Sequence, residues 1–128
     1  MKRITVLLAE DHMIVRQGVR KMLELEEDFE VVGEAQDGRQ AVTMVQELRP
    51  AVVLMDIAMP RLNGLEATRQ IVKTMPTTKV IMLSAHSDDA YVKSAAAAGA
   101  MGFLLKQTSS HEACQAIREV QKLSLIHI

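Results

Sequence analysis

The chain has 128 residues, 48% of them hydrophobic and 24% charged, the balance of one globular domain rather than of two domains, a disordered segment or a collagen-like repeat. Against 16 Asp and Glu stand 15 Lys and Arg, a formal net charge of -1, so no excess positive field drives direct binding to nucleic acid. The single cysteine, Cys114, excludes an internal disulfide and a zinc cluster and reads as a small semi-buried hydrophobe, while no apolar stretch suits a signal peptide or a bilayer span, so the expected setting is cytoplasmic with no membrane partner.

Taken in chain order, Ile4–Ala9 reads as a strand and runs into Glu10, Asp11 and His12. A helical period follows on Val15, Gly18, Val19 and Met22. Phe29–Gly33 is the second strand run, and Asp37-Gly38 is a cap for a helix whose apolar face is Val42, Val45 and Leu48, with Pro50 beyond its end. Ala51–Met55 is nearly continuously apolar, as a parallel strand covered on both faces should be, and ends at Asp56. Asn63-Gly64 caps a third helix with Leu65, Thr68, Ile71 and Val72 inward. Lys79–Leu83 then leads to Ser84, and Ser87-Asp88 opens a fourth helix that Gly99 closes.

That fourth helix has Ala90, Ala95, Ala96 and Ala98 at its inward positions, with Val92 the one larger aliphatic. Its anchoring is thin, because alanine has little side chain to bury. Gly102–Leu105 is the last strand and ends at Lys106; Ser109 with Glu112 has capping-box spacing for a fifth helix with Ala113, Ala116, Ile117 and Val120 inward. The tail, 123–128, lacks charge and proline and partly alternates, the composition of an exposed strand that seeks an edge. We read it as linker or non-native sequence beyond a domain at 1–122. Nine methionines beside two Phe and one Tyr make a soft core.

Five βα units make the fold class α/β, a doubly wound (βα)5 flavodoxin-like sandwich on a parallel sheet. In such folds chemistry collects at the carboxyl ends of the strands, where their order reverses. With order 2-1-3-4-5, Glu10 and Asp11 face Asp56 across that point, near Ser84 and Lys106. Two carboxylates about 5 Å apart repel by on the order of 3 kcal/mol at an effective dielectric near 20, so three sharing a pocket need a cation. Oxygen ligands in an open site select a hard ion, Mg²⁺, with Lys106 as the remaining positive charge. A carboxylate beside a metal, an ammonium and a hydroxyl is a set for phosphoryl transfer to Asp56.

The segments Leu8-Ala9-Glu10-Asp11-His12, Leu54-Met55-Asp56-Ile57-Ala58-Met59-Pro60-Arg61-Leu62-Asn63-Gly64, Leu83-Ser84-Ala85 and Gly102-Phe103-Leu104-Leu105-Lys106 resemble the receiver domain of bacterial two-component response regulators. The likeness is greatest to the subfamily with a LuxR-type helix-turn-helix output and covers about Ile4 to Lys122. It implies that Asp56 accepts a phosphoryl group from a sensor histidine kinase or a small phosphodonor. By the same resemblance Glu10, Asp11, Asp56 and a main-chain carbonyl near Ala58 hold Mg²⁺, Ser84 is a hydroxyl switch, Phe103 an aromatic switch and Lys106 the site lysine, while Ala58 and His86 tune phosphate lifetime. A homodimer on phosphorylation belongs to the same picture. Two positions depart from the common pattern: Glu10 stands where many members have Asp, and Gln107 where many have Pro, which leaves the isomer of the bond after Lys106 open.

The bland readings differ. Glu10-Asp11 can be a helix N-terminal charge pair, Phe103 a core residue, and His12 a capping or packing group. Neither His12 nor His86, His111 or His127 forms a metal pair at helical spacing. A haloacid-dehalogenase-type phosphatase expects an acid two residues after its nucleophile, where this chain has Ala58 or Met13. An FMN-binding loop would be repelled by Glu10-Asp11. A pseudo-receiver that binds partners without phosphorylation is the remaining alternative. The expectation is a non-enzyme, self-catalysing only its own phosphotransfer and dephosphorylation, with any DNA reader in sequence not present here, because one helix after Lys106 is too little for a helix-turn-helix.

Overall fold

The computed structural model describes residues 3–85, 89–108 and 110–126, the side chains of 123–126 excepted. Strands and helices alternate: β1 Ile4–Ala9, α1 Met13–Glu24, β2 Phe29–Ala35, α2 Gly38–Leu48, β3 Val52–Asp56, α3 Gly64–Thr74, β4 Lys79–Ser84, α4 Asp89–Ala98, β5 Gly102–Leu105 and α5 Ser110–Ile126. The strands form one parallel sheet in the order β2-β1-β3-β4-β5, as the strand-end argument required. Every residue of the central strand β3 is buried, which explains its unbroken apolar run.

Two apolar layers flank the sheet. On one face Val6, Leu8, Val52, Leu54 and Ile81 pack with Leu23 of α1 and Cys114, Ile117 and Val120 of α5. On the other, Leu7, Ala9, Val53, Met55, Val80 and Met82 pack with Ala41 and Val45 of α2, Ala67 and Ile71 of α3 and Ala95 of α4. Alternation along each strand assigns successive side chains to opposite layers. The β1–β2 ladder slips once, because Val6 pairs Val31 while Leu7 pairs Gly33, leaving Val32 as an extra residue in a bulge.

The caps act where the sequence placed them: Asp37 Oδ1 accepts from the Gln40 N–H at 2.8 Å and Asn63 Oδ1 from the Glu66 N–H at 2.9 Å. Gly99, at φ 102°, ends α4 as its N–H reaches the Ala96 carbonyl and the Ala100 N–H reaches that of Ala95, the paired bonds of a left-handed helix stop. The caps read at Ser87-Asp88 and Ser109 lie outside the described residues.

Several inward faces differ from the periodicity reading. In α1 Gly18 and Val15 are exposed, and the buried positions are Arg16 and Leu23. An arginine does not count as apolar, so its place on the core face is invisible to a hydrophobic pattern. In α2 Leu48 is exposed and Ala41 buried. In α4 only Ala95 and Ala98 are buried, while Ala90, Ala96 and Val92 face outward, so its grip on the sheet is thinner still than read. The backbone of 123–126 continues α5 instead of extending, since no Gly or Pro after Ser110 interrupts the helix. Cys114 is buried among apolar neighbours, as expected of a small hydrophobe. No helix among the described residues is long and apolar enough to cross a membrane.

Candidate functional site

The ladder fixes where the reactive ends meet. Ala9 pairs Met55 across β1 and β3, so Glu10 and Asp56 follow side by side at the carboxyl edge. The Ile57 N–H bonds the Leu83 carbonyl, and the Lys106 N–H bonds the Ser84 carbonyl at 2.9 Å. Four strand ends are thereby stitched into one floor, and the second strand contributes no side chain to its centre.

On that floor Lys106 Nζ lies 2.9 Å from Glu10 Oε1 and 3.2 Å from Asp56 Oδ2. Glu10 and Asp56 are 3% and 2% exposed, so this one ammonium stands between two desolvated carboxylates. Burial pushes the Asp56 carboxyl up to about 6, the Glu10 charge adds to that rise, and Lys106 opposes it. Glu10 goes the other way. Burial works to raise it, but the His12 backbone N–H, Lys106 and the His12 ring outweigh that and hold it at about 2. Burial likewise disfavours the Lys106 ammonium, and its two carboxylate partners reverse the sign and raise its pKa.

Three carboxylate oxygens, Glu10 Oε1, Asp11 Oδ1 and Asp56 Oδ2, are buried and accept no well-directed hydrogen bond among the described residues. Lys106 meets the first and third as charge, and Asp11 Oδ1 lies 3.3 Å from His12 Nδ1. Ligand atoms of Glu10, Asp11, His12 and Asp56 all fall within 4.8 Å of one another. One ammonium does not balance three clustered carboxylates, and hard oxygens this close suit a small divalent cation.

Two residues of the site carry roles the sequence did not reveal. His12 sits at the α1 N-cap position but makes no side-chain cap; its Nδ1 lies 3.0 Å from Glu10 Oε2, to which its backbone N–H also donates at 3.1 Å. Arg16, 8% exposed, reaches back from α1 to donate to the Glu10 carbonyl at 2.8 Å. The spacing Glu10 to Arg16 was the available signal, one helical turn beyond an acidic strand end.

The other candidates fall as follows. Ser84, 4% exposed, ends β4 opposite Leu105. Phe103 on β5 is half-buried and packs on the layer under α2, α3 and α4. Ala58 is exposed, and its N–H donates to Asp56 Oδ1 at 3.3 Å, orienting that carboxylate. His86 lies outside the described residues. The peptide bond after Lys106 is trans. Gly64 starts α3 directly behind Asp56: a Cβ there would stand 2.1 Å from the Asp56 carbonyl oxygen, so only glycine lets the helix end approach this closely.

A model of the response regulator receiver domain matches residues 6–118. The transcriptional regulatory protein DegU of Brevibacillus brevis is 41% identical over 118 residues, covering 92% of this chain and 50% of the relative. LiaR of Bacillus subtilis strain 168, also named a transcriptional regulatory protein, is 43% identical over 119 residues, 93% of this chain and 56% of LiaR. The chain thus spans about half the length of the curated relatives it matches. Among solved structures, the signal receiver domain of the putative response regulator NarL from Mycobacterium tuberculosis superposes with a TM-score of 0.92 at 34% identity, covering 95% of this chain and 98% of that one. A LuxR-family DNA-binding response regulator from Staphylococcus aureus gives 0.87 at 30% identity over 92% of this chain and 98% of its own.

Proposed function

Since the chain belongs to the response regulator receiver domain family, we propose that it is a phospho-accepting signalling domain in which Asp56 takes a phosphoryl group from a phosphohistidine of a sensor kinase, or from a small acyl phosphate. The observation that carries this reading is the Lys106 ammonium held between the buried Glu10 and Asp56 carboxylates at the strand-order switch point. A nucleophilic carboxylate needs its charge tolerated and its orientation set. Lys106 does the first; the Ala58 N–H on Oδ1 does the second.

In the transfer the P–N bond to the kinase imidazole breaks as a P–O bond to Asp56 forms. The imidazole leaves with the electron pair and takes up a proton. Lys106 and the Ser84 hydroxyl, both at the pocket, meet the charge on the phosphoryl oxygens. Glu10, Asp11, Asp56 and the Ala58 carbonyl would hold Mg²⁺, which when bound supplies the further positive charge that phosphoryl transfer needs. Reversal with water in place of the imidazole gives autodephosphorylation, at a rate tuned by residues 58 and 86.

Output is conformational. Ser84 moves toward the new phosphoryl group, Phe103 repacks, and α4, whose buried residues are Ala95 and Ala98, changes the surface it forms with β5 and α5. Met13, Ile14 and Val15, 60%, 85% and 41% exposed, follow the acidic loop directly and supply an apolar surface on which a kinase helix can seat. The relatives named as transcriptional regulatory proteins support control of a DNA-binding output, and a homodimer formed on phosphorylation belongs to the same reading. Residues 1–122 form the phospho-acceptor unit, and 123–128 are dispensable for it. Intact-mass measurement after incubation with acetyl phosphate and Mg²⁺ tests the reading: wild type gains the mass of one phosphoryl group and Asp56→Asn gains none. Equal gain in both refutes Asp56 as acceptor, and no gain in wild type favours a receiver that acts without phosphorylation.

A further inference from the structure

We propose that Arg16 is a positioning residue for the acidic pocket, acting with the half-buried Glu34 as a clamp that sets the Glu10-Asp11 main chain and so controls affinity for the divalent cation. The inference rests on the phospho-acceptor reading and extends it to residues outside the motifs that define it. A guanidinium only 8% exposed is costly unless its donors are met. Here two of them are met in a specific way: Nε donates to Glu34 Oε1 at 2.8 Å and Nη1 to the Glu10 carbonyl at 2.8 Å.

Glu34 is itself fixed from both sides. It sits on β2 in register with Leu8, and its other oxygen, Oε2, accepts from Arg20 Nη1 at 2.6 Å. The Glu10 main chain is therefore gripped twice, its N–H by the Ala35 carbonyl at 3.0 Å and its carbonyl by Arg16. That peptide is where β1 ends and the chain turns into α1, and it joins two of the pocket's acidic side chains. Rotation about it swings Glu10 and Asp11 relative to Asp56, so its hold determines whether the three buried oxygens converge. Arg16 donates nothing to those carboxylates in the described contacts and touches no reacting atom. Its influence passes through the backbone, as expected for outer residues that orient metal ligands.

The geometry needs the planar fork. Lysine at this position offers a single ammonium, which cannot span a carboxylate on β2 and a carbonyl after β1 with the same spacing. The test is Mg²⁺ affinity measured by NMR shift titration on wild type, Arg16→Gln, Arg16→Lys and Glu34→Gln, each first confirmed folded by its amide spectrum. Loss of the clamp is expected to weaken Mg²⁺ binding by about tenfold or more in Arg16→Gln. Arg16→Lys should recover only part of the loss, and Glu34→Gln, which keeps an acceptor oxygen, should fall between wild type and Arg16→Gln. Adding Glu34→Gln to Arg16→Gln should cost less than the two single losses combined, because both act on one clamp.

Folded Arg16→Gln or Glu34→Gln binding Mg²⁺ as wild type does overturns the clamp, as does full recovery by lysine. Should Arg16→Gln fail to fold, Glu34→Gln decides alone. A wild-type chain that takes up neither Mg²⁺ nor a phosphoryl group refutes the phospho-acceptor reading instead, so the two failures are separable.

Discussion

Asp56→Asn should make the metal-free domain more stable at neutral pH, although it removes one partner of an ion pair. The Asp56 carboxyl is moved from 3.8 to about 6 by burial and by Glu10, net of the help Lys106 gives. An acid whose folded pKa is raised contributes stability fully present below its unfolded pKa and lost as pH rises through the folded one. The loss therefore accrues between about pH 4 and pH 6. A difference of about 2 pKa units at 1.36 kcal/mol each makes ionised Asp56 cost the fold about 3 kcal/mol at pH 7. The side chain is 2% exposed, so solvent screening does little to reduce that figure. Asparagine keeps the shape without the charge and should recover most of it, about 10 °C in Tm for a domain of this size.

Urea unfolding followed by far-UV circular dichroism at pH 7 in EDTA, repeated at pH 4.5, reads the effect. The Asn variant should be more stable at pH 7, and the gap should narrow on acidification. Added Mg²⁺ should narrow it from the other side, by stabilising wild type more than the variant. Equal or lower stability of Asp56→Asn at pH 7, or a gap independent of pH, would refute the electrostatic account of the pocket.

Gly64→Ala should cost about 2 kcal/mol or more and impair phosphoryl uptake, because its Cβ would meet the Asp56 carbonyl at 2.1 Å; denaturant midpoints and intact mass check both. Gly18→Ala should instead add about 0.5–1 kcal/mol, since it sits in α1 with nothing within 4 Å of a new Cβ, and should leave phosphorylation unchanged. Arg118 of α5 pairs with Asp28 at 2.8 Å and Glu26 at 2.7 Å and lies over the Phe29 ring, so Arg118→Ala should cost on the order of 1 kcal/mol at neutral pH. Arg118 holds the Asp28 carboxyl below its ordinary value against a smaller opposing effect of burial; that stability is present above the unfolded pKa and lost as pH falls, so the difference between wild type and Arg118→Ala should shrink below about pH 4.

The strands were legible because this sheet is covered on both faces: Val52-Val53-Leu54-Met55 has no polar side to confuse its reading, and the observed ends differ by only a residue or two at β2, β3 and β4. Four of the pocket residues, Glu10, Asp56, Ser84 and Lys106, were legible because each directly follows an apolar run. Helix faces were read less well. Arg16 takes a core position through its two hydrogen bonds, and Val92 is left in solvent by a helix that touches its layer with alanine. The partner of Arg16 was out of reach for a related reason. Glu34 lies 18 positions away, and no local pattern encodes that contact.

The extra residue at Val32 gives the β2 edge a parity that its sequence does not have. Phe29 and Val31 belong to the layer beneath α1 and α5, whereas Ala35 belongs to the opposite one. Strict alternation would have put residues 33 and 35 with 29 and 31, and Glu34 against α2. The bulge shifts the phase by one, turning Glu34 toward Arg16 and Arg20. Deleting Val32 would remove the bulge and still leave Glu34 facing Arg16 and Arg20, because Val31 and Gly33 would then alternate directly in the register they already hold. Flattening the bulge with Val32 retained would instead turn Glu34 toward apolar Met44 and Leu48 and leave a buried guanidinium without its counter-ion. The frame of this one strand, rather than the identity of the bulged residue, is the quantity that natural variation in this region has to preserve.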